Sequence, residues 1–223
     1  SSAENFRIYG PNAENIHLDM LHSSPLCMGI AGAGGNTCYV FNGLVGNIDW
    51  YDFGEPHADI EHGHGGDDHS DGKKKRFTDV EVQREEGVPS HMIYDFESEL
   101  LYVADTGNHR VISVSFKEAR PGGRLLGFPG DGAIYQELGA QVSVVVEGNR
   151  DLVSPSGLAL DQGILYVTDH ATGFIHAFTL DGTQVNTLDT GVGPGSLSGI
   201  TVGPDRRIYL TLRSENRVVR IEP

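Results

Sequence analysis

An all-β fold built from repeated small sheets is the class this sequence predicts, and three observations carry it. A tyrosine-bearing strand recurs four times, as Tyr39-Val40-Phe41-Asn42, Tyr102-Val103-Ala104-Asp105, Tyr166-Val167-Thr168-Asp169 and Tyr209-Leu210-Thr211-Leu212. A β-branched residue follows each tyrosine at a distance of nine (Ile48, Val111, Ile175, Val218), and a turn-plus-apolar segment begins 11 to 14 residues before it. Those segments are Pro25-Leu26-Cys27-Met28, Pro89-Ser90-His91-Met92, Pro155-Ser156-Gly157-Leu158 and Leu197-Ser198-Gly199-Ile200. Thirty glycines and ten prolines, against 38% apolar residues, suit short strands joined by tight turns. A unit of three short strands cannot bury its own faces, so copies must stack or close into a ring, as the blades of a β-propeller do.

Each element follows from that frame. Successive tyrosines lie 63, 64 and 43 residues apart, and the shortest spacing fits one bare four-stranded blade of about 40–50 residues. The two longer spacings carry insertions, 54–75 and 117–136. Outer strands are expected at 76–82, 140–147 and 183–189. The fourth repeat has no outer strand after it, and Asn5-Phe6-Arg7-Ile8-Tyr9 is a strand without a partner. Pairing it with the last blade closes a ring and removes exposed edges. The prediction is one domain over 1–223, with blades near 25–82, 86–147, 150–189 and 195–223 and strand 5–9 as the closure. It is preferred to a fragment of a larger propeller or half of an eight-bladed dimer.

Composition excludes some partners. A formal charge of −15 disfavours nucleic acid and anionic membrane surfaces, which need clustered Lys and Arg. The basic run 73–76 directly follows an acidic stretch and reads as its neutraliser. No segment approaches the roughly 20 apolar residues of a membrane span. The chain starts at Ser1 without Met or an apolar signal, which reads as a processed or trimmed form.

Cys27 and Cys38 flank a glycine-rich turn whose centre is expected near position 32 or 33, which places them opposite each other across a hairpin. A cross-strand disulfide is the expectation, implying an oxidising compartment and a secreted or periplasmic location. The competing reading is two buried free thiols.

The densest set of potential ligands is 55–72, where eighteen residues hold four histidines and six carboxylates. Here His57, His62, His64, His69, Asp67 and Asp68 are candidate metal ligands. Imidazole suits zinc or copper, the favoured ions, and carboxylates admit calcium. His62 and His64 fall on one side of an extended chain, with glycines that let the backbone wrap an ion. The competing reading is a solvated acidic loop. His91 stands where the other repeats have Cys27, Gly157 and Gly199, on a strand that lines the channel, so it is expected to point into the channel. The first insertion can bring His62 or His69 toward it, and His22 lies near the same mouth. Three histidines with an open position make a catalytic-type site. Cys27 beside His91 is an alternative thiolate–imidazole pair, whereas His17, His109, His170 and His176 read as surface or packing residues. No G-x-S-x-G elbow, P-loop or dinucleotide fingerprint occurs.

The stretch Leu101-Tyr102-Val103-Ala104-Asp105-Thr106-Gly107-Asn108-His109-Arg110-Val111 resembles the NHL repeat, as does 155–161 with 165–169, and Asn216-Arg217-Val218 matches the motif's end. The resemblance covers 86–117 and 150–223 well and 25–53 loosely. It implies a propeller, for which six blades are more usual than four. The motif's Asp105 and Asp169 read as structural acceptors for backbone N–H groups in the following turn; Asn42 can do the same and Leu212 cannot. Within NHL-like propellers, the peptidyl-hydroxyglycine amidating lyases hold zinc with histidines from several blades and calcium in the channel. His91 sits at a similar strand position, while the other ligands have no counterpart by motif, so that activity is not carried over. The sequence therefore predicts an NHL-like propeller with a His-based divalent-metal site at one mouth, acting on a small molecule or peptide as a lyase or hydrolase. The alternative is a non-catalytic module that binds a peptide, glycan or protein. A homo-oligomer covering the channel is compatible with either.

Overall fold

In a computed structural model of the chain, each repeat tyrosine falls on the second strand of a small antiparallel sheet. The structure describes residues 21–54, 72–126, 133–148 and 152–221, and the backbone of 57–58 and 67–68. Blade one contains β1 (Cys27–Gly32), β2 (Thr37–Asn42) and β3 (Asn47–Asp52). The short strands β4 (His57–Ala58) and β5 (Asp67–Asp68) pair within the first insertion, and β6 (Lys73–Phe77) returns as the blade's fourth strand. Blade two starts with β7 (Met92–Asp95), β8 (Leu100–Asp105) and β9 (Arg110–Ser115). A hairpin of β10 (Arg120–Leu125) and β11 (Ile134–Leu138) follows, and β12 (Gln141–Val146) then completes the blade. Blade three runs β13 (Pro155–Asp161), β14 (Ile164–Asp169), β15 (Phe174–Thr179) and β16 (Gln184–Asp189). Blade four runs β17 (Leu197–Val202), β18 (Ile208–Leu212) and β19 (Arg217–Arg220).

Middle strands are apolar throughout because a neighbouring blade covers each face. Leu101, Tyr102, Val103 and Ala104 of β8 are all buried, whereas every residue of the outer β16 is exposed. The core accordingly lies between blades. Phe41, Ile48 and Phe77 of blade one meet Leu101, Val103 and Ile112 of blade two. Tyr102 and Val111 meet Leu158 and Leu165, and Ala159 and Ile175 meet Leu197 and Leu210. Each of the Val, Leu, Ile and Phe side chains among them contributes roughly 1.5–3 kcal/mol on burial.

Two elements differ from the sequence expectation. The outer strand of blade one begins at Lys73, so the basic run is itself a strand, with Lys74 buried. The second insertion is a hairpin that belongs to blade one: β11 runs parallel to β6, pairing Lys75 with Tyr135 and Phe77 with Glu137. The result is a six-stranded sheet, in which the hairpin covers the edge that β6 would otherwise expose.

Packing runs from β1 onto β7, from β7 and β8 onto β13, and from β13 and β14 onto β17. Among the described residues no comparable packing joins β17 to β1, and the sheets do not close into a ring. The expected closing strand at 5–9 lies outside the described residues.

The residue that ends the second strand accepts backbone N–H groups of the following turn in blades one and three, whereas Asp105 receives from its own turn only the side chain of Asn108, at 2.9 and 3.1 Å. Asp105 accepts the Gln83 backbone N–H at 2.7 Å and pairs with Arg110 at 2.7 Å. Asp169 accepts backbone N–H groups from Val153, Ser154, Ala171 and Thr172. Asn42 accepts those of Leu44 and Val45. Four residues on, Gly46, His109, Gly173 and Asn216 all adopt left-handed φ, between 50° and 80°. That conformation favours glycine and is next best tolerated by Asn, Asp and His.

Candidate functional site

Strand pairing sets which residues are equivalent in the four blades. The repeat tyrosines Tyr39, Tyr102, Tyr166 and Tyr209 face Ala31, Ile93, Ala159 and Thr201. Two positions earlier stand Gly29, His91, Gly157 and Gly199, so the blade-one counterpart of His91 is Gly29 and not Cys27. Matching Pro25 to Pro89 and Pro155 misplaces it, because the position lies four residues after Pro25 but two after Pro89, Pro155 and Leu197.

The glycines mark where backbones of adjacent blades touch. A Cβ on Gly29 would lie 2.0 Å from the Ser90 carbonyl oxygen, and one on Gly157 would lie 2.4 Å from that of Ser198. At the fourth position the His91 backbone N–H donates to Ser156 O at 2.8 Å, and its ring projects toward blade four. There Cε1 would sit 3.2 Å from a Cβ on Gly199. A belt of hydroxyls stitches this level together. Ser90 Oγ meets Thr106 Oγ1 at 2.7 Å, Thr106 donates to Pro155 O at 2.7 Å, and Thr168 donates to Ser198 O at 3.1 Å. Sequence reasoning missed this belt, although serine before His91, Gly157 and Gly199 was its signal.

The His91 ring is half-buried, and its nitrogens have no hydrogen-bond partner among the described residues. Burial pushes its pKa below the ordinary histidine value, which keeps the imidazole neutral at neutral pH. His109 and His170 serve packing: their Nδ1 atoms reach Val153 O and Leu197 O of the next blade, each at 2.6 Å. His176 is buried between Phe174 and Phe178.

The remaining candidates separate into three groups. His22 is exposed, in a turn whose next residues, Ser23 and Ser24, are buried. Backbone pairing sets residue 57 opposite 68 and 58 opposite 67, bringing His57 and Asp68 to one register position. His62, His64 and His69 lie outside the described residues. Among the described residues, no three His, Cys, Asp or Glu side chains come together as a metal site.

The disulfide expectation is corrected. Cys27 and Cys38 are both free thiols, Cys27 facing Asn42 and Cys38 facing Gly32 in the hairpin register. About four residues of strand, roughly 13 Å, separate the two positions, beyond the Cα separation of about 7 Å that a disulfide tolerates. Gly34 and Gly35 take φ of 91° and 55° and centre the turn later than expected. Burial, with a smaller contribution from Cys27, pushes the Cys38 thiol up to about 11. The argument for an oxidising compartment loses its basis with the disulfide, and the Cys27–His91 pair loses its shared register position.

Blade one holds two further features that sequence reasoning missed. Asp49, fully buried, accepts hydrogen bonds from Ser24 (2.6 Å), Asn42 (3.0 Å) and Arg76 (2.6 and 2.7 Å), and Ser24 also meets Tyr51 at 2.7 Å. Burial opposes the charge on Arg76, but the hydrogen bonds and charge of Asp49 outweigh it and raise the guanidinium pKa. On the other face of the sheet, a row running Tyr39–Trp50–Lys75 across β2, β3 and β6 lines a cleft of about 260 Å³ with Phe77, Phe116, Ala119 and Glu137. The tyrosine had been absorbed by the fold repeat, and Glu137 reaches Phe77 only through a parallel pairing that leaves no local trace in the sequence.

No family model matches the chain, and no curated protein matches it. Among solved structures it resembles a streptogramin B lyase, with a TM-score of 0.56 and 16% identity over 93% of this chain and 54% of that one. It also resembles an auxiliary nutrient binding protein from Bacteroides thetaiotaomicron, with a TM-score of 0.55 and 13% identity over 88% of this chain and 47% of that one. The chain spans about half the length of each. At such identities the likeness concerns the fold alone, and with the blades described above it makes this an all-β, propeller-like protein.

Proposed function

We propose that the chain is a propeller-like metal-binding module in which His91 supplies an axial ligand and the histidine-rich first insertion supplies the others. The observation that carries the reading is the placement of His91. Three of four equivalent positions are glycine, and the fourth projects a half-buried, neutral imidazole toward Gly199 across the axis. A neutral imidazole is the commonest protein ligand for zinc and copper. His62 and His69 are the proposed partners, with His64, His57, Asp67, Asp68 and His22 as further candidates. A bound divalent metal with an open position would supply Lewis-acid or water-activating chemistry, which would make the site a lyase or hydrolase centre. His91 would then hold and orient the ion, and the hydroxyl belt would fix the backbone that carries it.

A second reading is a non-catalytic module for a peptide, glycan or protein partner, and the aromatic cleft on blade one favours it. One fold serves both kinds of activity, so the likenesses do not choose between them. Metal content of the purified protein by mass spectrometry, compared with His91→Ala, tests the first reading. About one zinc or copper per chain, lost in the variant, supports it. Calcium alone, or a metal content that His91→Ala leaves unchanged, moves the function to the recognition reading.

A further inference from the structure

The cleft on blade one sets a buried carboxylate beside aromatic rings at the edge of the inter-blade core. Tyr39 stacks on Phe116 with centroids 4.6 Å apart, and Phe77 meets Phe116 at 4.2 Å, so three aromatic rings form its floor. Trp50 forms a wall, with the Lys75 ammonium 5.4 Å from its ring centroid. The same ammonium pairs with Glu137 at 2.9 Å. Tyr39 is 8% exposed and lines the cleft, yet its hydroxyl has no hydrogen-bond partner among the described residues. Glu137 is 4% exposed, and Lys75 is the partner that neutralises it.

Aromatic faces around a buried carboxylate are chemistry for a cation. A ring face attracts a positive charge within about 6 Å of its centroid, and a buried carboxylate that loses its counter-ion is strongly penalised. Here the protein fills the site with its own amine. The Lys75 side chain is 41% exposed, on a flexible stem, and a partly solvated ion pair of that kind is readily exchanged. Lys75 thus stands in for an external ammonium, which the chain's net charge of −15 would help to draw in.

We propose that this cleft binds an organic ammonium group, a quaternary or alkylated amine, with the Trp50 ring as its cation-binding face, the Tyr39–Phe116 stack as its apolar floor and Glu137 as its counter-ion, displacing Lys75. The site is independent of His91 and of any metal.

Trp50 is the only tryptophan in the chain, so its fluorescence reports on this cleft alone. Choline titrated into the full chain should change that fluorescence saturably, while the neutral isostere 3,3-dimethylbutanol should not. Lys75→Met keeps the stem and removes the competing charge, and it should tighten choline binding about tenfold. Glu137→Gln should weaken it by about tenfold, the scale of a desolvated cation contact. Thermal melts on the same samples establish that each variant is folded, and choline should raise the melting temperature more in Lys75→Met than in the parent. An equal response to choline and its neutral isostere, or no saturable response in folded Lys75→Met, overturns the proposal.

Discussion

Blades one and three are copies of one repeat that handle charge in opposite ways. In blade three, Asp169 spends its carboxylate on backbone N–H groups alone, and the sheet stops at an exposed outer strand. In blade one an asparagine takes the turn, and the buried carboxylate moves to Asp49, which is matched by the Arg76 guanidinium. The same sheet recruits the β10–β11 hairpin and opens an aromatic cleft. Blade three is scaffold: its carboxylate holds its own turn, and its hydroxyls tie it to the neighbouring blades. Blade one keeps the repeat's backbone but breaks its side-chain pattern, and those departures are where ligand chemistry can be placed.

The comparison breaks most visibly at the carboxylates. Arg76→Met leaves Asp49 buried without its cation and should cost about 3–5 kcal/mol. Asp169→Asn keeps one acceptor oxygen for the turn of blade three and should cost about 1–3 kcal/mol. Urea denaturation of both variants measures the difference, and equal losses would mean that the two carboxylates do the same work.

A smaller effect separates the glycines of blade one. Gly29→Ala drives a Cβ into the Ser90 carbonyl and should cost about 1–3 kcal/mol, whereas Gly32→Ala meets nothing within 4 Å and should stay within about 0.5 kcal/mol. A neutral Gly29→Ala in the same denaturation assay would contradict the close approach of blades one and two.

The smallest effect concerns the cysteines. At pH 8, a thiol reagent should label exposed Cys27 in the folded protein and spare Cys38, with both labelled in urea. Because burial raises the Cys38 thiol from 9.0 to about 11, its contribution to stability should be level below pH 9 and decline as pH rises from 9 toward 11. Peptide mapping that finds the two cysteines joined would restore the disulfide and reverse this prediction.

Much of the scaffold was legible because it is local. Short, continuously apolar strands at Tyr102 and Tyr166, and the acceptor that follows each, announce themselves within a few residues. His91 also stood out as a histidine among glycines, and its ring reaches Gly199 of blade four. Its partner position was misread as Cys27 because blade one has two more residues between Pro25 and that position than the other blades have. The outer strand at Lys73 was obscured by its charges: the basic run read as the neutraliser of the acidic stretch before it, although Lys74 is buried beside Ser23. The aromatic cleft depends on Phe77 meeting Glu137 in a parallel pairing between distant segments, and nothing in either segment alone encodes that.

The most direct test of the functional account is anomalous diffraction from crystals grown with zinc. The account predicts a peak about 2.0–2.1 Å from a ring nitrogen of His91, with histidines of the first insertion completing the site. A peak confined to the insertion, or none near His91, would contradict an axial metal and leave the chain as a recognition scaffold.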